Sequence, residues 1–328
     1  MAKDMINKVH IEGRVYNHTL QHKVSGEKSK NPGTPFIQGQ INVATDEEGI
    51  NVIPVRFSYV TEFYPKSGKP NDTYKVLSEI IDDGECWEKD GKEQAPQIRI
   101  DGDIAVNDFP GRDGEMVEAK QVRGSFVHFA QGNYKLNVNE DKRNTFEADM
   151  LIAAVIDQEV ENGDDYINIR GYVFAYRNAL VPVTFTVRNP GGISYFQKCD
   201  ISNSNPLLTK VWGNIISTTQ EIKTEVESAW GGPQVNVTTR TLRAWEVTGS
   251  SDVPYEWDDE STLTMAEFKK LMQQREETKA LAKKDAEEYQ ARRANQNNAF
   301  SAKNDEPPFS GGKVAGNASP TAVADFKF

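Results

Sequence analysis

Residues 5–16, Met-Ile-Asn-Lys-Val-His-Ile-Glu-Gly-Arg-Val-Tyr, limit what this chain can become more than any other stretch. Val9, Ile11 and Val15 fall on alternate positions, with His10, Glu12 and Arg14 between them. A period of two predicts a strand with one buried face. Gly13 interrupts it, and a glycine inside a strand marks a bulge, a bend or a close backbone approach. A first strand bent in this way can pair with both halves of a small closed barrel.

Residues 18–34 read as a loop or loose hairpin carrying Lys23, Lys28 and Lys30. Strands are predicted over 36–44 and 50–60, joined by the turn Asp46-Glu-Glu-Gly49, and Pro54 points to a strand edge or bulge. Lys66-Ser-Gly-Lys69 is a basic turn. Asp72 can cap a helix from Thr73 to Ile81, with Val76, Leu77, Ile80 and Ile81 as its apolar face. Strands over 97–106 and 116–129 follow. Three strands, a helix and two strands is the order of an oligonucleotide-binding (OB) barrel. Asn7-Lys-Val-His-Ile-Glu-Gly-Arg-Val15 and Phe36-Ile-Gln-Gly-Gln-Ile-Asn-Val-Ala-Thr45 resemble the opening of bacterial-type single-stranded DNA-binding proteins. That resemblance covers the first sixty or so residues and implies the same barrel.

The pattern recurs. Ile169-Arg-Gly-Tyr-Val173 echoes Ile11-Glu-Gly-Arg-Val15, Val181-Pro-Val-Thr-Phe185 echoes Ile53-Pro-Val-Arg-Phe57, and Trp212-Gly-Asn-Ile215 echoes Asp101-Gly-Asp-Ile104. Three echoes in one order favour a tandem duplication over a single enlarged sheet. Residues 146–157 either close the first barrel or open the second. Thr264-Met-Ala-Glu267 is a capping box opening a helix to about Ala294. Its stripe of Met265, Phe268, Leu271 and Met272 gives way to charge all round, as in a helix that is solvated or bridges something. From Asn295 the chain has too little apolar content to fold. The expected fold is therefore all-β, with two tandem OB-fold-like barrels (1–145 and 146–251), a linker and charged helix (252–297) and a disordered tail (298–328).

The formal net charge is −11, against expectation for a nucleic-acid binder. The acid is concentrated between Asp82 and Glu118, as a solvated face or as one that repels DNA from the wrong side; the local field decides. Single strands are held by cations on phosphates and by rings stacked on bases. The candidates are Arg14, Tyr16, Lys23, Lys28, Lys30, Arg56, Tyr59, Lys66 and Lys69 in the first barrel, with Phe63 and Tyr64 beside them. In the second they are Tyr172, Tyr176, Arg177, Trp212, Arg240, Arg243 and Trp245. Phe57, Phe174 and Phe185 share the parity of their apolar neighbours and read as core. Tyr16, Tyr59, Tyr172 and Tyr176 stand open between core and platform.

Four histidines, Cys86 and Cys199 offer no metal-ligand spacing, and neither a phosphate-cradling loop nor a nucleophile motif is present. The chain therefore reads as a binding protein rather than an enzyme, with no cofactor and no metal. Absence of an apolar leader or long apolar run predicts a cytoplasmic protein, in a bacterium or a phage-infected host, without a membrane partner. Asn304-Asp-Glu-Pro-Pro-Phe309 is similar to the acidic, phenylalanine-ended tip by which bacterial single-stranded DNA-binding proteins recruit partners. By that resemblance Asp305, Glu306, Pro307, Pro308 and Phe309 would recruit replication or recombination proteins. Nineteen residues follow that tip here, and Phe328 supplies a second aromatic end. The resemblance also implies four barrels per particle, which a homodimer of this chain would supply. The expected function is sequence-independent binding and protection of single-stranded DNA in replication, recombination or repair, in a bacteriophage or mobile-element version. The alternatives are a β-rich structural or virion protein and a metal-dependent nuclease.

Overall fold

The computed structural model describes residues 5–27, 29–111, 115–132, 135–159, 165–226, 234–257 and 262–301. Among the described residues eleven strands form one sheet that closes on itself twice. The first ring uses β1 (Asn7–His18), β3 (Pro35–Ala44), β4 (Val52–Thr61), β5 (Gln97–Pro110) and β6 (Met116–Phe129). Its neighbours run β1-β3-β4-β6-β5 and back to β1, and β4 meets β6 in parallel through Val55 and Arg56. The second uses β7 (Asn144–Gln158), β8 (Tyr166–Phe174), β9 (Leu180–Val187), β10 (Leu207–Val226) and β11 (Gln234–Ser250) in the same cycle. Its parallel contact is Thr186 with Glu246. Both are OB barrels by strand order. Helices α1 (Asp72–Asp83), α2 (Trp87–Asp90) and α3 (Pro190–Lys198) lie within the barrel sequences, and β2 (Gln21–Val24) edges β3.

Strand β1 behaves as its alternation demands: Val9, Ile11 and Val15 are fully buried. Gly13 is required because a Cβ there would collide with the Ala44 carbonyl of the crossing strand. The second barrel meets the same crowding between its first two strands from the other side, where Gly171 of β8 lies against the Leu151 carbonyl of β7. The echo of 11–15 at 169–173 is thus a coincidence of role: Ile11 is on the first strand of its barrel and Ile169 on the second of its own. The other two echoes fall on corresponding strands. Pro54 and Pro182 both sit on third strands, which touch their parallel neighbour only at Val55, Arg56 and Thr186 and so spare the prolines' missing donors. Gly102 and Gly213 mark matching bulges on the fourth strands.

The cap of α1 is Asn71, not Asp72: the Thr73 amide donates to Asn71 Oδ1 at 3.1 Å, and Gly84 ends the helix at φ 65°. The barrels join where β1 and β7 pair antiparallel, Val9 opposite Phe146. Each barrel's last hairpin then crosses to the other. From β6, Lys120 Nζ donates to the Thr184 carbonyl at 2.8 Å; from β10, the Ser217 amide donates to Asn51 Oδ1 at 2.7 Å. The segment before the last helix is docked rather than free, since Tyr255 donates to the buried Asp149 at 2.9 Å and Trp257 to the Pro206 carbonyl.

Helix α4 (Met265–Ser301) starts at the expected capping box, in which the Glu267 amide donates to Thr264 Oγ1 and the Thr264 amide to Glu267. Its first turns pack Phe268, Leu271 and Met272 over a cluster of Leu151, Phe174, Leu180 and Leu208 in the second barrel. Arg275, 7% exposed, then clamps the first barrel's hairpin, donating to Asp108 at 2.5 and 2.6 Å and to Glu118 at 2.9 Å. The charged helix is a strut between barrels. Among the described residues no helix is long and apolar enough to cross a membrane.

Candidate nucleic-acid interface

On the first barrel the outer face of β3 and β4 carries Gln38, Gln40, Arg56 and Ser58 around a shallow cleft of about 270 Å³. Gln40, Asn42 and Asn17 are tied in a ladder of amides, at 2.8 and 2.5 Å, so the floor is polar and fixed. Arg56 stands opposite Gln40 and is exposed. Towards the strand ends Tyr59, 47% exposed, rests on the buried ring of Phe36 at 4.5 Å between centroids. Phe36 pairs with Lys23 on β2, which is exposed. The loop after β4 adds exposed Phe63 and Tyr64 with Lys66 and Lys69, folded back by the Tyr64 amide donating to the Lys69 carbonyl at 2.9 Å. Lys30 is exposed in the loop between β2 and β3. Arg56, Lys23, Lys30, Lys66 and Lys69 make no ion pair among the described residues. Lys23, Arg56, Tyr59, Lys66 and Lys69 thus lie on β2, on β4 and in the loop after β4, and Phe36 supports the ring of Tyr59.

Two first-barrel candidates are engaged within the fold. Arg14 is spent on structure, donating to the Lys92 and Ala95 carbonyls at 2.8 and 3.3 Å. Tyr16 is half-buried and packs against Trp87 at 6.3 Å. Lys28 lies outside the described residues.

The corresponding face of the second barrel, β8 and β9, is differently dressed. Arg188 stacks over Tyr166 at 4.5 Å, Thr186 donates to Asn168 at 3.1 Å, and Arg170 is exposed opposite Thr184. Tyr172 is half-covered by Phe268 of α4, 6.3 Å away, and burial with the nearby Glu118 and Glu276 charges raises its phenol above the usual value. Tyr176 is 75% exposed beside a 600 Å³ cavity under α4. Trp245 is a correction: it is core, stacked on Phe185 at 5.9 Å and 10° and only 9% exposed. It shares parity with the buried Val247, the signal that should have assigned it inward. Trp212 is 41% exposed and Arg243 is exposed on the neighbouring strand. The side chains of Arg177 and Arg240, and residues 305–309 and 328, lie outside the described part of the molecule.

Asp101, Asp103, Asp108 and Glu118 of the acidic stretch, and Glu47 outside it, are paired within the fold. Asp101 meets His10, Asp103 holds Arg123 through its Nε at 2.8 Å, and Asp108 and Glu118 hold Arg275. Glu47, hydrogen-bonded by Lys92 and Arg143, is held down at about 2. Such pairing leaves the total of −11 unchanged, so what a ligand on the β3–β4 face meets depends on which charges lie near that face. Among the described residues no cluster of three or more metal-ligating side chains is present.

Two solved structures of the single-stranded DNA-binding protein from Thermus aquaticus are similar to this chain. The wild-type protein is 12% identical with a TM-score of 0.44, covering 78% of this chain and 96% of its own. A deletion variant is 11% identical with a TM-score of 0.45, covering 78% and 98%. No curated protein matches the chain. A family model described as YorF matches residues 6–287, the two barrels and most of α4, and the chain belongs to the YorF family.

Proposed function

We propose that this protein binds single-stranded DNA without sequence preference and protects it during replication, recombination or repair. The observation that carries the reading is the β3–β4 face of the first barrel, the second and third strands of an OB fold, with exposed Arg56 on β4, Lys23 on the edging β2 and Lys30, Lys66 and Lys69 in the adjoining loops, none of them in an ion pair among the described residues, and with exposed Tyr59. That is the face, with its flanking loops, on which OB folds take up oligonucleotides. Cations there meet phosphates and Tyr59 offers a ring to a base. The residues 305–309 would recruit partner proteins, and a homodimer would assemble four barrels.

The test is titration of labelled poly-dT at two salt concentrations, with and without magnesium. Affinity should fall steeply with salt, because condensed counterions are displaced. Magnesium should cause no cleavage. Absence of salt-dependent binding would overturn the proposal in favour of a structural role, and magnesium-dependent cleavage would favour a nuclease.

A further inference from the structure

The seam between the barrels has an outer side of its own. Across it run β6, β5, β1, β7 and β10, paired edge to edge. A trough of about 670 Å³ lies there, within the roughly 300–1,000 Å³ usual for small-ligand sites, and Phe126 and Trp212 lie at opposite edges of its lining. These are exposed rings, 52% and 41%. Four strand spacings separate their strands, roughly 19 Å along the sheet.

The two rings occupy matching places. Phe126 stands opposite Asp101, just before the bulge glycine Gly102; Trp212 stands just before the bulge glycine Gly213, opposite Gly249. Each barrel therefore presents one ring at its fourth-and-fifth-strand bulge, from the fifth strand in one and the fourth in the other. The seat of Trp212 is built for it. A Cβ at Gly249 would lie 2.5 Å from Trp212 Nε1, so glycine lets the indole lie flat with its other face open.

The floor between the rings holds carboxylates, each met by a basic side chain. Asp101 faces His10 Nδ1 at 2.6 Å, Asp103 holds Arg123, and Glu147 accepts from Lys210 at 3.0 Å. Glu12 faces His10 Nε2 at 2.7 Å and Arg99 at 3.3 Å, and Lys8 is exposed. Burial opposes charge on His10, but the hydrogen bonds to Asp101 and Glu12 outweigh it and raise its pKa. The trough is thus close to neutral, suited to uncharged nucleobases rather than to phosphate alone.

Resting on the proposed function, we infer that this trough is where a bound single strand crosses from one barrel to the other, its bases stacking on Phe126 and on Trp212. The ligand is a continuous run of unpaired nucleotides long enough to engage both rings. A short oligomer engages the β3–β4 face without needing the trough.

Binding of dT oligomers of about 8 and about 35 nucleotides, chosen against the ~4–16 nucleotides one OB fold covers, tests this. Phe126→Leu and Trp212→Leu keep an apolar side chain but remove the ring. Each should weaken the long oligomer about 5-fold or more, and leave the short one within about 2-fold, since one stack is worth ~1–3 kcal/mol. Gly249→Val, which unseats the indole without removing it, should act like Trp212→Leu. Photocrosslinking of a 5-iodouracil oligomer to the unaltered protein needs no substitution, and long oligomers should mark Phe126 and Trp212. Unaltered affinity of the folded leucine variants for the long oligomer, or crosslinks confined to the β3–β4 face, overturns the inference alone. Failure of the unaltered protein to bind either oligomer overturns the proposed function and the inference together.

Discussion

On the first barrel the outer face of the second and third strands is open, and the cations on it and flanking it make no ion pair among the described residues. On the second barrel the same face ends beneath α4, with Tyr172 against Phe268 and Arg188 resting on Tyr166. One strand order therefore supports two surfaces, and the difference comes from what the chain does after the last strand. The helix covers the Tyr172 end of the second face as it ties the barrels together. The two barrels share one strand order; the strut makes them unequal.

The sharpest way to break the comparison is to cut the strut. Arg275 is 7% exposed and Asp108 10% at the side chain, so their bidentate pair is buried. Arg275→Leu leaves Asp108 without its main cation, and breaking a buried pair from one side costs about 3–5 kcal/mol. Chemical denaturation should show that loss, with proteolysis of α4 accelerated. Unchanged stability would mean the clamp is incidental. The paired change Arg275→Leu with Asp108→Leu should recover much of the loss, because no charge is then left buried.

Next in size is the contrast between exposed and covered tyrosines. Tyr59→Ala should weaken poly-dT binding by about 5- to 150-fold, the span of ~1–3 kcal/mol for one base stack. Tyr172→Ala should leave binding within about 2-fold while α4 is in place. Equal effects at the two positions would show that the helix leaves the second face accessible and would erase the asymmetry.

The legible part of this molecule was what repeats locally. Alternation placed Val9, Ile11 and Val15 inward, the capping box placed the start of α4, and the bulge glycines marked matching fourth strands. Partnership across the barrels was not legible. Nothing near Arg14 in sequence announces that it serves carbonyls at 92 and 95, and nothing near Arg275 announces Asp108. The partners of Asp101 and Asp108 in the acidic stretch are hidden for the same reason: His10 and Arg275 arrive from distant elements. Aromatics divide likewise. Trp245 follows the parity of its strand, whereas the exposure of Trp212 depends on a glycine 37 residues away in the pairing strand.

The two crossing hairpins give the finest comparison. The second barrel's arm is held by neutral hydrogen bonds at Asn51, with the Ser217 amide donating at 2.7 Å. The first barrel's arm is held by an amine, Lys120, whose Nζ lies 4.7 Å from the ring of Trp245 and 5.1 Å from that of Phe185. Burial lowers its pKa from 10.5 to about 7, although the ring faces attract the ammonium form. A lysine depressed on folding leaves the unfolded chain holding more protons between those two values, so its term in stability rises with pH from about 7 towards 10.5. The slope cannot exceed about 1.4 kcal/mol per pH unit for one group. Lys120→Met keeps the side-chain length, loses the donor to Thr184, and should remove that rise. At pH 7 the variant loses the one hydrogen bond, worth about 0.5–1.5 kcal/mol, but is spared the cost of giving up a proton on folding, so its stability relative to the unaltered protein should be highest at pH 7 and fall as pH rises. Urea denaturation of both proteins from pH 7 to 9 separates the cases. Parallel stability curves would mean that the amine keeps its proton throughout, and that the two arms, for all their difference in chemistry, respond alike to pH.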